Sequence, residues 1–189
     1  MKEESRKEEI VRIASFLFKE KGYSAVTMRD IAQELGIKAA SLYNHIKSKQ
    51  EILNEIIISL AEQFTEGMEL IQSTTDNSLD KLQRIIALHV EITTNNEHGM
   101  ASLNNDWMHL EESLDYYLTL RDNYEENFRT IIKKGIDNNE IISVNPEVML
   151  FSILSTLRSL YLWIPKKEDL RQDNLANELS EVLLKGIIR

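Results

Sequence analysis

Apolar residues recur at helical spacing along nearly the whole chain. Ile10, Ile13, Ala14, Leu17 and Phe18 form the first stripe, which runs out at Lys21-Gly22, a basic residue and a glycine that mark a helix C-terminus. The pattern predicts a helix over about 4–21. Thr27-Met28-Arg29-Asp30 then has the form of a capping box, a hydroxyl for the orphan amides and a carboxylate three residues on. It opens a short helix over about 28–35 with Ile31, Ala32 and Leu35 facing inward. Gly36 interrupts, and a second short helix follows over about 38–45. Ser48 and Glu51 form another capping box, opening a long helix over about 49–73. Further helices are predicted at about 78–95, 99–110, 113–137, 146–163 and 171–186. Asn145-Pro146-Glu147 supplies an N-cap, a proline at the first helical position and an acid in the first turn. Asn138-Asn139 is the matching stop, since Asn tolerates the left-handed cap conformation. No alternating β-branched run is long enough for a strand, so the fold class is all-α.

Two short helices joined at a glycine, over about 27–46, suggest a helix-turn-helix. In that motif the first helix props the second, whose N-terminal half enters the DNA major groove. Gly36 permits the turn, Ile37 anchors it, and Leu42 points back to the core. A glycine between short helices is common in helical hairpins, and alone it says little. The residues around it say more. Over Ile10 to Leu53 the chain carries Ala14, Leu17-Phe18, Lys21-Gly22-Tyr23, Thr27, Arg29-Asp30-Ile31-Ala32, Leu35-Gly36-Ile37, Ser41-Leu42-Tyr43, His45, Lys47-Ser48-Lys49 and Ile52-Leu53. This ordered, gap-free set resembles the tetracycline-repressor (TetR) family of one-component bacterial regulators.

The resemblance implies an N-terminal three-helix DNA-binding domain over 1–53 and a C-terminal helical-bundle domain for ligand binding and dimerisation over 54–189. It implies Thr27, Tyr43 and Lys49 as phosphate contacts; the alternatives are packing beside Leu42 for Tyr43 and a solvated surface cation for Lys49. Lys38, Ala39, Ser41, Asn44 and His45 are the outward candidates for base edges. Lysine suits guanine O6/N7, asparagine suits adenine N6/N7, and an alanine methyl can meet a thymine methyl. His45 is equally suited to phosphate or to packing. The family often has Ser, Lys and Gly where Lys38, Ala39 and Ala40 stand, so no operator sequence carries over. Lys38 is also a poor N-cap.

For the C-terminal domain the resemblance implies a homodimer on a near-palindromic operator, with recognition helices about 34–36 Å apart or a multiple of that. Val148 to Ile164 is apolar nearly all round. Small Ser152, Ser155 and Ser159, with Leu175, Leu179, Val182 and Leu183 on the last helix, are the candidate interface; an ordinary monomeric core is the alternative. Candidate pocket residues are Leu103, Trp107, Met108, Tyr117, Tyr124, Phe128, Phe151, Leu154 and Trp163, each of a kind more often found in plain core. Arg158, a lone cation in an apolar helix, must find a partner, either an acidic ligand or a Glu or Asp across the dimer. Phe128 to Ile136, Asn145-Pro146, Leu162 to Pro165 and Leu183 to Gly186 are similar to a TetR subgroup that answers lipids and acyl-CoA. The implied effector is a small, acyl-type hydrophobic molecule that releases a repressor, repression being the family default.

Composition changes this picture in two ways. The 22 Lys and Arg against 31 Asp and Glu give a net charge of −9, which argues against a nucleic-acid partner until it is divided. Residues 1–53 hold 10 basic and 8 acidic side chains, a net of +2, and the remainder carries −11. The basic excess lies on the helix-turn-helix, where phosphate binding needs it. Zero cysteines exclude a thiol nucleophile and a thiolate metal site. The N-terminus has no apolar signal region, and the 17 residues from Val148 to Ile164 carry Arg158 and are short for a membrane span of about 20. A cytoplasmic protein is expected, with no membrane partner. Asp106, His109, Glu112 and Asp115, with His89, Glu91 and His98 upstream, have metal-ligand chemistry, but acids and histidines at helical spacing more often form a solvated face. No nucleophile or P-loop motif is present. Neither an enzyme nor a cofactor is expected.

Overall fold

The computed structural model describes residues 4–166, 172–185 and 187. All regular structure among them is helical: α1 (Arg6–Lys21), α2 (Met28–Glu34), α3 (Ala39–Leu42), α4 (Lys49–Ser73), α5 (Ser78–Asn95), α6 (Glu97–Asn105), α7 (Leu114–Asp137), α8 (Pro146–Arg158), α9 (Leu160–Trp163) and α10 (Gln172–Leu184). Short 3₁₀ turns lie at Tyr23–Ala25, Trp107–His109 and Ile164–Lys166.

The ends of these helices follow local chemistry. Ser5 caps α1 in a reciprocal box: its hydroxyl accepts from Glu8 N–H at 3.2 Å, and the Glu8 carboxylate accepts from Ser5 N–H at 2.6 Å. The predicted box at Thr27 forms, while at Ser48 the hydroxyl accepts from Glu51 N–H at 3.0 Å but the Glu51 carboxylate accepts from Lys47 N–H at 2.8 Å, one residue before the cap. Asn145 accepts from Glu147 N–H at 2.9 Å and caps α8. Asn139 has φ +62°, the left-handed stop expected beyond α7.

Three predicted helices differ in extent. The second short helix is regular only over Ala39–Leu42, because Asn44 and His45 N–H turn to carbonyls three residues back, Ser41 and Leu42. The helix expected at 99–110 begins at Glu97 and gives way to the 3₁₀ turn after Asn105. The one expected at 146–163 breaks at Ser159, whose N–H bonds Thr156 O and whose hydroxyl donates to Ser155 O at 2.8 Å. Of the helix expected at 171–186, Arg171 and Gly186 lie outside the described residues.

The chain forms two compact units. The first joins residues up to Ala61 with Asn96–Tyr117. Its core holds Ile10, Ala14, Leu17 and Phe18 of α1, Ile31 and Ala32 of α2, Leu42, Ile46, and Ile52 and Leu53 of α4. Helix α6 packs on α1, where Lys19 pairs with Glu97 and the Phe16 ring meets His98 edge-on at 5.4 Å. It also lies close to α4: a Cβ on Gly99 would stand 3.1 Å from Leu60 Cδ1 and 3.4 Å from Ile56 Cγ2. The second unit comprises Glu62–Asn95 and Leu118 onward. It buries Met68, Leu82, Ile85, Ile86, Phe128, Ile131, Ile132, Leu154 and Leu157.

Candidate nucleic-acid interface

The helix-turn-helix is built on alternating burial. Gly36 holds φ +66°, a conformation side-chain-bearing residues resist. There the chain reverses, with Gly36 N–H on Gln33 O and Ile37 N–H on Ala32 O, each at 3.0 Å. Leu42 and Ile46 are then fully buried. With these two turned inward, Lys38, Ala40, Ser41, Tyr43, Asn44, His45, Lys47 and Ser48 are exposed, and Ala39 is half-buried. The expected base-reading and phosphate-contacting residues of this stretch thus share one exposed segment. Lys38 makes no side-chain cap, in line with the expectation for a lysine there. Arg29 and Lys47 are further exposed cations on the motif. Sequence reading placed both in the resembling set without giving either a contact, although their charge was the available signal.

Two expected phosphate contacts are engaged inside the protein. Thr27 is exposed, but its hydroxyl donates to Asp30 at 2.6 Å and accepts from Asp30 N–H at 3.2 Å. These bonds hold the Asp30 carboxyl below its ordinary pKa, the hydroxyl contributing most and the Thr27 N–H next. Lys49 differs more from its expected role. Its ammonium donates to Tyr23 O and Val26 O, each at 2.8 Å, and sits 4.2 Å from the Tyr23 ring centroid. Burial lowers its pKa. It is a half-buried strap holding the 23–26 turn to the start of α4, with two of its three donors spent inside the protein.

Tyr23 continues this network. Its hydroxyl donates to Gln50 Oε1 at 2.8 Å, and Gln50 Nε2 donates to His109 O at 2.8 Å. The His109 ring stacks on Tyr23 at 5.3 Å. Sequence reading weighed His109 only for metal chemistry, because a stacking partner 86 residues away leaves no local pattern.

The C-terminal candidates divide between the units. In the first, Tyr117 is buried and stacks on half-buried Trp107 at 5.9 Å; Leu103 is half-buried and Met108 exposed. In the second, Tyr124, Phe128 and Leu154 are buried. Arg158 donates to Glu125 of its own chain at 2.6 Å, a partner that is neither an acidic ligand nor an acid across a dimer, because α7 brings a carboxylate alongside it. Phe151 is 72 % exposed, which removes it from an internal lining of its unit. It shares the outer surface with Ser152, Ser159, Trp163 and Val182, while Ser155, Leu179 and Leu183 are half-covered. Leu175, an interface candidate, turns inward and is 3 % exposed. Ser155, Ser159, Trp163 and Leu179 line a largely apolar groove of about 500 Å³. His89 is 4 % exposed, with Nε2 2.9 Å from Tyr124 OH and its ring against Phe64 at 4.6 Å. Burial, then Arg158, pushes its pKa down to about 3.

An exposed polar segment wrapped round two buried aliphatics, on a glycine-turned pair of short helices, defines a helix-turn-helix DNA-binding regulator. The chain matches the family described as "Bacterial regulatory proteins, tetR family" over residues 10–56, and "Tetracyclin repressor-like, C-terminal domain" over residues 75–187. It belongs to the TetR family of transcriptional regulators, a non-enzymatic class. The HTH-type transcriptional repressor KstR2 of Rhodococcus jostii (strain RHA1) is 26 % identical over 186 residues, 96 % of this chain and 91 % of the relative. The ketosteroid transcriptional regulator KstR2 of Mycobacterium tuberculosis has the same fold, with a TM-score of 0.92 at 22 % identity over 98 % of this chain and 96 % of that one. AibR, solved in complex with isovaleryl coenzyme A and operator DNA, matches with a TM-score of 0.79 at 20 % identity over 94 % of this chain and 97 % of that one. Among the described residues no helix is long and apolar enough to cross a membrane.

Proposed function

We propose that this chain is a cytoplasmic, homodimeric repressor that binds a near-palindromic operator and leaves it when a small, acyl-type hydrophobic effector occupies the C-terminal domain. Residues 1–53 are the DNA-reading part in this view, and 54–189 bind effector and partner. The observation that carries the reading is the exposed run Lys38, Ser41, Tyr43, Asn44, His45 around buried Leu42 and Ile46. The effector class is supported by the isovaleryl coenzyme A held by AibR and by the ketosteroid regulation in which KstR2 is named. The homodimer is supported by apolar Phe151, Trp163 and Val182 on the outer surface of the second unit. Release requires only that effector and operator prefer different conformations, a reciprocal coupling of about 1–3 kcal/mol. Fluorescence anisotropy with DNA from upstream of the protein's own gene tests the reading. Saturable binding that weakens steeply with salt is expected; absent or salt-insensitive binding would refute it.

A further inference from the structure

Among the described residues of the second unit, two buried side chains each keep a polar atom without a hydrogen-bond partner. His89 Nδ1 and Thr93 Oγ1 are both buried without a partner, in residues 4 % and 1 % exposed. They lie four residues apart on α5 and therefore on one face of it. Buried polar atoms in native proteins are nearly always satisfied, so these two call for a partner, a water or a bound guest.

The state of His89 follows from its other nitrogen. Nε2 lies 2.9 Å from the Tyr124 hydroxyl. If Nε2 carried the proton and donated, the Tyr124 O–H and the Nδ1 lone pair would both be left unmet. If Tyr124 O–H donates to Nε2, only the Nδ1–H is unmet, so this arrangement wins. The imidazole is neutral, since burial strongly disfavours its charged form. The guest thus meets two donors one helical turn apart, Nδ1–H of His89 and O–H of Thr93. One uncharged carbonyl oxygen, with two lone pairs, can accept both. A carboxylate is disfavoured because the neighbouring cation, Arg158, is already bonded to Glu125 at 2.6 Å.

We infer that His89 and Thr93 form the polar anchor of the effector site and select an apolar molecule bearing a neutral carbonyl group. The inference rests on the reading that the C-terminal domain binds an effector. The Phe64 ring, 4.6 Å from that of His89, supplies an apolar wall beside the anchor.

The full-length protein titrated with 2-nonanone and with nonane, followed by tryptophan fluorescence, tests it. The ketone should bind about tenfold more tightly, the effect of one to two satisfied hydrogen bonds. Thr93→Val, nearly isosteric, should cut the preference to about threefold, one of two donors remaining, while leaving nonane unchanged; His89→Phe should also reduce it. If His89→Phe fails to fold, Thr93→Val alone decides. Nitrogen-15 NMR should find the unliganded imidazole protonated on Nδ1. Equal affinities in the wild type, no binding of either probe, a preference undiminished by Thr93→Val, or an Nε2-protonated ring would each overturn the anchor. Operator binding measured in the same samples separates the two proposals. Ketone selection without operator binding leaves the anchor standing and sinks the regulator reading.

Discussion

Lys49 is the residue where pattern and geometry part most sharply. At the head of a long helix beside the DNA-binding motif, it has the placement of a phosphate ligand. Yet two of its three donors are spent on Tyr23 O and Val26 O. Each such charge-assisted bond is worth about 1.5–3 kcal/mol. Lys49→Met should therefore lower stability by roughly 2 kcal/mol, allowing for partial exposure, and loosen the 23–26 turn. It should weaken operator binding without altering its salt dependence. Lys38→Ala, removing an exposed cation, should instead reduce the slope of log K against log salt by about one. Anisotropy at four salt concentrations distinguishes the two roles. Asn44→Ala should relax base preference by about 1–3 kcal/mol at one operator position, read by competition with single-base variants. His89 makes a prediction about acid. An unfolded histidine takes up its proton near pH 6.5, whereas the folded ring resists to about 3. The unfolded state therefore binds more protons between those limits, and folding stability falls as pH drops through that window. His89→Phe removes this contribution. Wild-type Tm should fall more than the variant's between about pH 7 and pH 4.5, in calorimetric scans.

At the scale of elements, what could be read depended on where the determining partners lie. The apolar stripes of α4 and α5 and the caps at Thr27, Ser48 and Asn145 are local, and these helices occur where the pattern placed them. The end of α3 and the break at Ser159 come from single N–H groups choosing carbonyls three residues back. No hydrophobic period records that choice. The docking of α6 on α1 through Lys19–Glu97, and the stacking of His109 on Tyr23, link residues far apart in sequence. They were illegible for the same reason as the bonds of Lys49. The exposed recognition residues, in contrast, followed directly from Leu42 and Ile46 being inward. Gly99 is an element-scale feature with a measurable consequence. Its missing side chain lets α6 approach Leu60 and Ile56 of α4. Gly99→Val would place a branched side chain against them, and such overpacking costs about 1–3 kcal/mol. Thermal denaturation should show the loss, and it should exceed that of Gly99→Ala, where helix propensity offsets part of the crowding.

Across the whole molecule, net charge and footprint argue together for a dimer. A chain of net −9 has no general affinity for DNA. Its N-terminal 53 residues, at +2, offer one short exposed segment to one major groove. Such a footprint neutralises few phosphates, and in the proposed dimer two copies on two half-sites would make up the affinity. The proposed interface lies on the second unit. Val148 is 59 %, Phe151 72 % and Val182 76 % exposed, a cost in water that burial against another copy would recover. Phe151→Asp should leave the fold intact, since the side chain already faces solvent, and should yield monomers in sedimentation velocity. Those monomers should bind operator far more weakly, with a salt slope close to half the wild-type value, because half the phosphate contacts are gone. A Phe151→Asp protein that stays dimeric would move the interface elsewhere. One that becomes monomeric yet keeps the full salt slope would mean that a single copy already makes all the phosphate contacts, contrary to a footprint this small.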